Sequence, residues 1–254
     1  MGASIALDAL PGIPEVRPGD DLGALLAAAA ARLPGGLADS DVLAVAHKVV
    51  SKAEGRVVDL ASVDPGPQAR ALAAEHGKDP RHVQVVLDES AELVRADAGR
   101  LIARTRHGFV CANAGVDASN AADPDTLVLL PADPDGSARA LRAALRDRLG
   151  AAPAVVVTDS FGRAWRTGQC EIAIGCAGLT PVEDWRGRPD IAGRELTVTM
   201  IAIADEAAAA ADLARGKDTR EPAIRLRGLG RHVTAEDGPG AAALVRAAAD
   251  DLFR

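Results

Sequence analysis

Three short stretches of the chain are apolar at almost every position: 42–46 (VLAVA), 126–130 (TLVLL) and 154–158 (AVVVT). A strand covered on both faces reads as a continuous apolar run rather than an alternating one. These stretches therefore predict strands buried between layers, and the last of them delivers Asp159 at its C-terminal end. Residues 223–227 (AIRLR) predict a further strand. Residues 101–105 and 109–113 are strand-like and close enough in sequence to form a hairpin. Residues 195–203 alternate like one long strand, which runs into a helix over 205–215.

Other segments carry helix signals. Pro18-Gly-Asp-Asp21 supplies a start, with Asp20 or Asp21 as N-cap, for a helix over 22–33 that stops at Pro34-Gly-Gly36. Helices follow over 67–77 and 80–95. Asp135-Gly-Ser137 caps another that reaches Leu149, and 240–253 predicts the last. Strands and helices are interspersed without a strict strand–helix–strand repeat. The reading is α+β, a mixed sheet with flanking helices, in a single domain over 1–254.

Composition narrows this picture. Apolar residues make up 48% of 254 positions, enough for a sizeable core. Aromatics are 2% and Tyr is absent, so that core is built from Val, Leu, Ile and Ala. A formal charge of −7 argues against a nucleic-acid partner, which calls for a basic face. Cys111, Cys170 and Cys176 form no CxxC pair and no disulfide framework. The N-terminal residues lack a signal-peptide pattern, and 22–33 is too short to span a bilayer, so no membrane association and a cytoplasmic location are expected.

Four segments could carry chemistry. In Lys48-Val-Val-Ser-Lys-Ala-Glu-Gly-Arg56 the cations Lys48, Lys52 and Arg56 recur every fourth residue. On a helix they share a face that could clamp a polyphosphate, although a solvated basic face would look the same. His47 beside them is ambiguous in the same way. Asn113-Ala-Gly-Val-Asp117-Ala-Ser-Asn120 gathers oxygen donors of the kind hard cations prefer, or is only a turn in which Asp and Asn bond their own backbone. In Val155-Val-Val-Thr-Asp159-Ser-Phe-Gly-Arg163-Ala-Trp-Arg166, a carboxylate and a hydroxyl leave a buried strand beside two arginines. That combination suits a divalent metal next to phosphates, with Arg163 and Arg166 neutralising phosphate oxygens; a helix N-cap at Asp159 is the alternative. In Leu213-Ala-Arg-Gly-Lys217-Asp-Thr-Arg220, Gly216 suits a helix C-terminus and Lys217 its dipole. No GxxxxGK[ST], GxGxxG, GxSxG or HExxH is present, so a nucleotide would need an unusual site.

In this order and at these spacings the chain resembles the coenzyme F420-0:L-glutamate ligase family, also called F420 gamma-glutamyl ligase. The likeness runs through Gly12-Ile-Pro-Glu15, Pro18-Gly-Asp-Asp-Leu22 and Val49-Val-Ser-Lys-Ala-Glu-Gly-Arg56. It continues in Ala114-Gly-Val-Asp-Ala-Ser-Asn120, Leu130-Pro-Ala-Asp-Pro-Asp-Gly-Ser-Ala138 and Thr158-Asp159. Gly162-Arg163, Arg166, Gly168, Ala173-Ile-Gly175, Asp184-Trp185, Gly193-Arg-Glu-Leu196, Ala204-Asp-Glu206 and Arg227-Gly-Leu229 complete it.

The resemblance implies an amide ligase that attaches L-glutamate to coenzyme F420-0 at the expense of GTP, through an acyl phosphate. It places metal ligands on Asp117, Asp159 and Ser160, the last where the family usually has Thr. It places guanine-nucleotide contacts on Ile13, Pro14, Glu15, Val16, His47, Lys48, Lys52 and Asn120, and on the loop Gly216–Lys217. Many relatives carry Glu or Gln as a metal ligand at the position of Lys217, and an ammonium has no lone pair to give. Two divalent ions, Mg²⁺ or Mn²⁺, with K⁺ as a further ion, and an intertwined homodimer of unusual fold are also implied. Some relatives carry a second, flavin-binding domain, which is not expected here. The competing readings are a metal-dependent GTP phosphohydrolase and a non-catalytic nucleotide-binding homologue.

Overall fold

In the computed structural model, which describes residues 4–118, 125–216 and 218–251, the apolar runs at 42–46 and 154–158 become the middle of a five-stranded sheet, whereas the run at 126–130 forms only a three-residue strand in a separate two-stranded sheet. In chain order the elements are β1 (Ala6–Ala9), α1 (Leu22–Ala30), β2 (Val42–Ala46), α2 (His47–Ala53), β3 (Val57–Asp59), α3 (Pro67–His76) and α4 (Pro80–Glu89). Then come β4 (Ser90–Asp97), β5 (Arg100–Thr105), β6 (Val110–Ala112), β7 (Thr126–Val128), α5 (Pro134–Leu149), β8 (Ala154–Arg163) and β9 (Arg166–Ala177). The chain ends through β10 (Glu183–Asp184), β11 (Met200–Ile201), α6 (Ile203–Ala214) and β12 (Ala223–Arg227). The large sheet has the order β1-β12-β2-β8-β9. Only β2 and β8 pair in parallel; the other neighbours are antiparallel.

Strand alternation sorts the core. Leu43, Val45, Val155 and Val157 face one side, where α1 and α5 contribute Leu22, Leu26, Leu141 and Leu145. Val42, Ala44, Ala154 and Val156 face the other, against Ile203, Ala204, Ala207, Ala208 and Ala211 of α6. The alanine stripe lets α6 lie close on the sheet, which is how a chain so poor in aromatics fills its interior. A separate lobe packs α3, α4, β5 and β7 around Val83, Val86, Leu101, Ala103 and Leu127. The α+β reading with a mixed sheet and flanking helices holds. Among the described residues no helix is long and apolar enough to cross a membrane.

Several expectations need correction. The helix expected over 80–95 stops at Glu89, where Ser90 turns extended and its hydroxyl donates to the Val86 carbonyl. Ser90–Asp97 pairs instead with β5 across a two-residue turn whose Ala98 and Gly99 both have positive φ, the geometry that matches strand twist. The strand at 154–158 continues to Arg163, so Asp159 sits within β8 and does not cap a helix. The long strand over 195–203 shrinks to Met200–Ile201, which pairs with Glu183–Asp184, while Glu195 makes only an isolated bridge to Pro189. No α-helix forms over the described part of 240–253; Ala241–Leu244 and Ala248–Asp250 are single 3₁₀ turns.

The last correction has a visible cause. The N-cap of α5 is Asp133, not Asp135. Asp135 in the first turn accepts from the backbone N–H of Cys176, Ala241 and Ala242 at 2.8, 2.7 and 3.2 Å. One carboxylate thus fastens the C-terminal segment to β9 with amides that a helix start would leave free.

Leu43 is fully buried at the centre of the sheet. Leu43→Ala should lower the unfolding free energy by about 2–5 kcal/mol, read from the urea midpoint at unchanged slope.

Candidate functional site

The parallel pairing of β2 with β8 ends at Ala46 opposite Thr158. The next residue on each strand is therefore a neighbour of the other: His47 and Asp159. His47 Nε2 lies 3.2 Å from Asp159 Oδ1. The contact is close but not aligned as a hydrogen bond, and Nε2 is buried without another partner. The Nδ1 side faces Ser51 Oγ at 3.3 Å. Asp159 Oδ1 also accepts from the Ser160 N–H at 2.8 Å. Among the described residues no Lys or Arg pairs with Asp159.

His47 opens α2, and this seven-residue helix gathers two further acids. Lys48 Nζ meets Asp117 Oδ2 at 2.6 Å, both half-buried. Lys52 Nζ meets Glu15 Oε1 at 2.5 Å, the lysine buried and the carboxylate exposed. Asp117 is held by a two-way backbone bridge to Val128. The turn before it is strained: Asn113, Ala114 and Gly115 all have positive φ, with values of 52°, 52° and 74°. Two non-glycine residues in that region cost about 1–2 kcal/mol each, and a Cβ on Gly115 would strike Leu130. Strain of that kind is kept where a fixed geometry is needed.

The segment expected to contact nucleotide divides by side chain. Val16 is buried and Ile13 packs against the same core, Pro14 is exposed, and Glu15 reaches Lys52. Arg56 leaves the basic row: it lies beyond the end of α2 and binds Glu89 and the Leu130 carbonyl. Arg163 and Arg166 are not brought to Asp159. They pair across the exposed β8–β9 hairpin tip, and Arg163 lies four residues beyond Asp159, about 13 Å along an extended strand. Gly216 is half-buried and its carbonyl accepts from Thr219 Oγ1. Asn120 and Lys217 lie outside the described residues.

Ser160 belongs to a different environment from Asp159. Successive strand residues point to opposite faces. Asp159 shares its face with Val157 and Phe161, toward α1 and α5. Ser160 and Thr158 point toward α6, where Ser160 Oγ donates to Glu171 Oε1 at 2.5 Å. Arg215, at the end of α6, reaches Glu171 Oε2 at 3.3 Å and Thr158 Oγ1 at 3.1 Å. Both charged side chains are nearly buried, with 8% and 5% exposure. Burial pulls the guanidinium below its usual range, against the opposing charges of Glu171 and Asp212.

Sequence reading missed this Glu171–Arg215 pair. The available signal was a lone acid in the otherwise apolar run 170–177, placed opposite Ser160 by strand pairing.

Asp159, a carboxylate without a Lys or Arg partner among the described residues and beside an orphaned imidazole nitrogen, has donor chemistry that fits a hard divalent cation, and Asp117 offers a second carboxylate at the next residue of α2. Among the described residues no three His, Cys, Asp or Glu side chains already converge on one point. Asp117 and Asp159 would be the residues to hold such an ion.

The sequence profile of a family described as F420-0:Gamma-glutamyl ligase matches residues 12–228. The chain belongs to that family. Relatives of the F420-0:gamma-glutamyl ligase family align along almost the whole chain. The coenzyme F420:L-glutamate ligase of Methanopyrus kandleri is 44% identical over 253 residues, covering 99% of this chain and 98% of that protein. Its namesake from Methanothermobacter thermautotrophicus is 41% identical, covering 98% and 99%. That of Haloarcula marismortui is 43% identical, covering 90% of each. Membership makes the chain a ligase, and three of the segments in the match, those of Glu15, Asp117 and Asp159, meet α2.

Two thiols report on this arrangement. Burial, aided by the negative charge of Asp159, pushes the Cys111 thiol up to about 12. Burial, aided by Asp135 and Asp205, does the same for Cys176, also to about 12. At pH 8 roughly one in ten thousand of either would be thiolate. Iodoacetamide at pH 8 should leave both unmodified in the folded protein and label both in urea, read by peptide mass.

Proposed function

We propose that the chain is a GTP-dependent ligase that joins L-glutamate to coenzyme F420-0 within coenzyme F420 biosynthesis. Supporting this are the family match over most of the chain and, above all, the meeting of His47 with Asp159 and Lys48 with Asp117 on one short helix. The named relatives act on L-glutamate by their printed names, and their likeness extends through both acidic segments.

The chemistry follows from the substrates. A carboxylate is a poor electrophile, so it is first activated. A carboxylate oxygen of the acceptor bonds to the γ-phosphorus of GTP, the bond to the β-phosphate oxygen breaks, and GDP leaves. The amine of glutamate then attacks the acyl carbon, loses a proton, and phosphate leaves as the amide forms. No residue among those described is assigned as the base for that proton.

The protein's part is positioning and charge balance. A divalent ion held by Asp117 and Asp159 supplies charge neutralisation on the triphosphate oxygens when bound. Lys48 and Lys52 are then matched to phosphate. Both ammonium groups sit on carboxylates, Asp117 and Glu15. Asp117 would hold the ion, and Lys48 and Lys52 would meet phosphate oxygens. Glu15 lies at an exposed position, so its release costs little. The same reading takes in the family homodimer.

Purified chain given GTP, Mn²⁺, L-glutamate and F420-0 should yield product heavier by one or more glutamyl units, with phosphate release that needs both acceptors. GTP hydrolysis at equal rate without glutamate and F420-0 would favour the phosphohydrolase instead. Asp159→Asn should keep its circular dichroism and lose about 10²–10³ in kcat, the usual worth of one such electrostatic group. Turnover near that of the parent chain would remove Asp159 from the metal.

A further inference from the structure

Two ions are the expectation that the resemblance brings, with Ser160 and the position of Lys217 as ligands of the second. The surroundings of Ser160 point elsewhere. Its hydroxyl is held by Glu171 at 2.5 Å. The other oxygen of Glu171 faces the Arg215 guanidinium at 3.3 Å, and the same guanidinium reaches Thr158 Oγ1 at 3.1 Å and the Pro222 carbonyl at 3.4 Å. Arg215 Nε is buried with no hydrogen-bond partner among the described residues. A positive charge is therefore lodged at 8% exposure where a second cation would have to sit.

We infer that the Arg215 guanidinium takes the place of the second cation, so that the chain binds one divalent ion, on the Asp159 side of β8, and none at Ser160.

Three observations carry this. A guanidinium is permanently charged and donates from five N–H groups; it has no lone pair for a metal and repels one. Glu171, the carboxylate nearest Ser160, already has its charge matched by Arg215, so an ion arriving there gains little and must displace a buried group. The side chains of Asp159 and Ser160 leave β8 on opposite faces, one with Val157 in the α1–α5 core and the other toward α6. The sheet itself separates the two candidate positions.

The inference rests on the reading above only for the first ion, and the experiment separates them. Mn²⁺ is titrated into the full chain with a non-hydrolysable GTP analogue, and free Mn²⁺ is followed by electron paramagnetic resonance. The expected count is one ion per chain, lost in Asp159→Asn and kept in Ser160→Ala. Arg215→Lys, which keeps the charge, should stay at one, and Arg215→Met should rise to two.

A count of two in the parent chain overturns the inference and leaves the ligase reading intact. So does a single ion that survives Asp159→Asn and is lost in Ser160→Ala. Arg215→Met that folds and stays at one removes the exclusion from Arg215. If that variant does not fold, the parent count and the Asp159 and Ser160 variants decide alone. No ion in the parent chain, with nucleotide present, overturns both this inference and the metal assignment to Asp117 and Asp159.

Discussion

The register between β2 and β8 is the constraint on which the site depends. These two strands form the sole parallel pair of the large sheet, so both run toward the same edge and release their next residues side by side. Had β8 been shifted by one residue, its whole alternation would invert: Val155 and Val157 would leave the α1–α5 core, and Asp159 would turn away from His47. The burial of those valines and the position of the carboxylate are therefore one structural fact. Because Val42, Leu43, Ala44, Val45 and the four residues opposite them are fully buried, the packing of both helical layers enforces that register.

From this pairing the rest of the site is assembled by a helix too short to be stable alone. Seven residues give fewer than two turns, and isolated helices of that length do not persist in water. Here α2 is fixed by Val50 in the core and by contacts of His47, Lys48 and Lys52 with acids from three distant segments. Each exposed contact is individually weak. Their value lies in geometry, since Glu15, Asp117 and Asp159 are drawn to one element whose orientation the sheet has already set.

Much of this was legible in the letters because burial and period agree there. The runs at 42–46 and 223–227 became β2 and β12 at those bounds, and the hairpin at 101–113 formed as β5 and β6. Asp117 and Asp159 were singled out for their chemistry, and the fold gives each a basic neighbour on α2. What failed was decided by partners distant in sequence. The alanines after Gly240 have high helix propensity, yet Asp135 holds two of their amides, and a tertiary hydrogen bond outweighs a few tenths of a kcal/mol per residue. Arg163 and Arg166 are near Asp159 in sequence, but the extended strand carries them away from it. Arg56 kept helical spacing past the point where Glu54 and Gly55 end the helix.

The two faces of β8 divide the electrostatics in a way that neither motif nor composition displays. On one face the acid Asp159 meets the His47 imidazole and, among the described residues, no Lys or Arg. On the other, Glu171 is matched by an arginine that cannot lose its charge. A site that is to receive a cation needs the first condition and is closed by the second. Removing Arg215 would take one counter-charge from the buried Glu171, so the Glu171–Arg215 pair also braces the end of α6 against the sheet. Stability on one face and openness to an ion on the other are thus set by consecutive residues of a single strand, through the alternation that also builds the core.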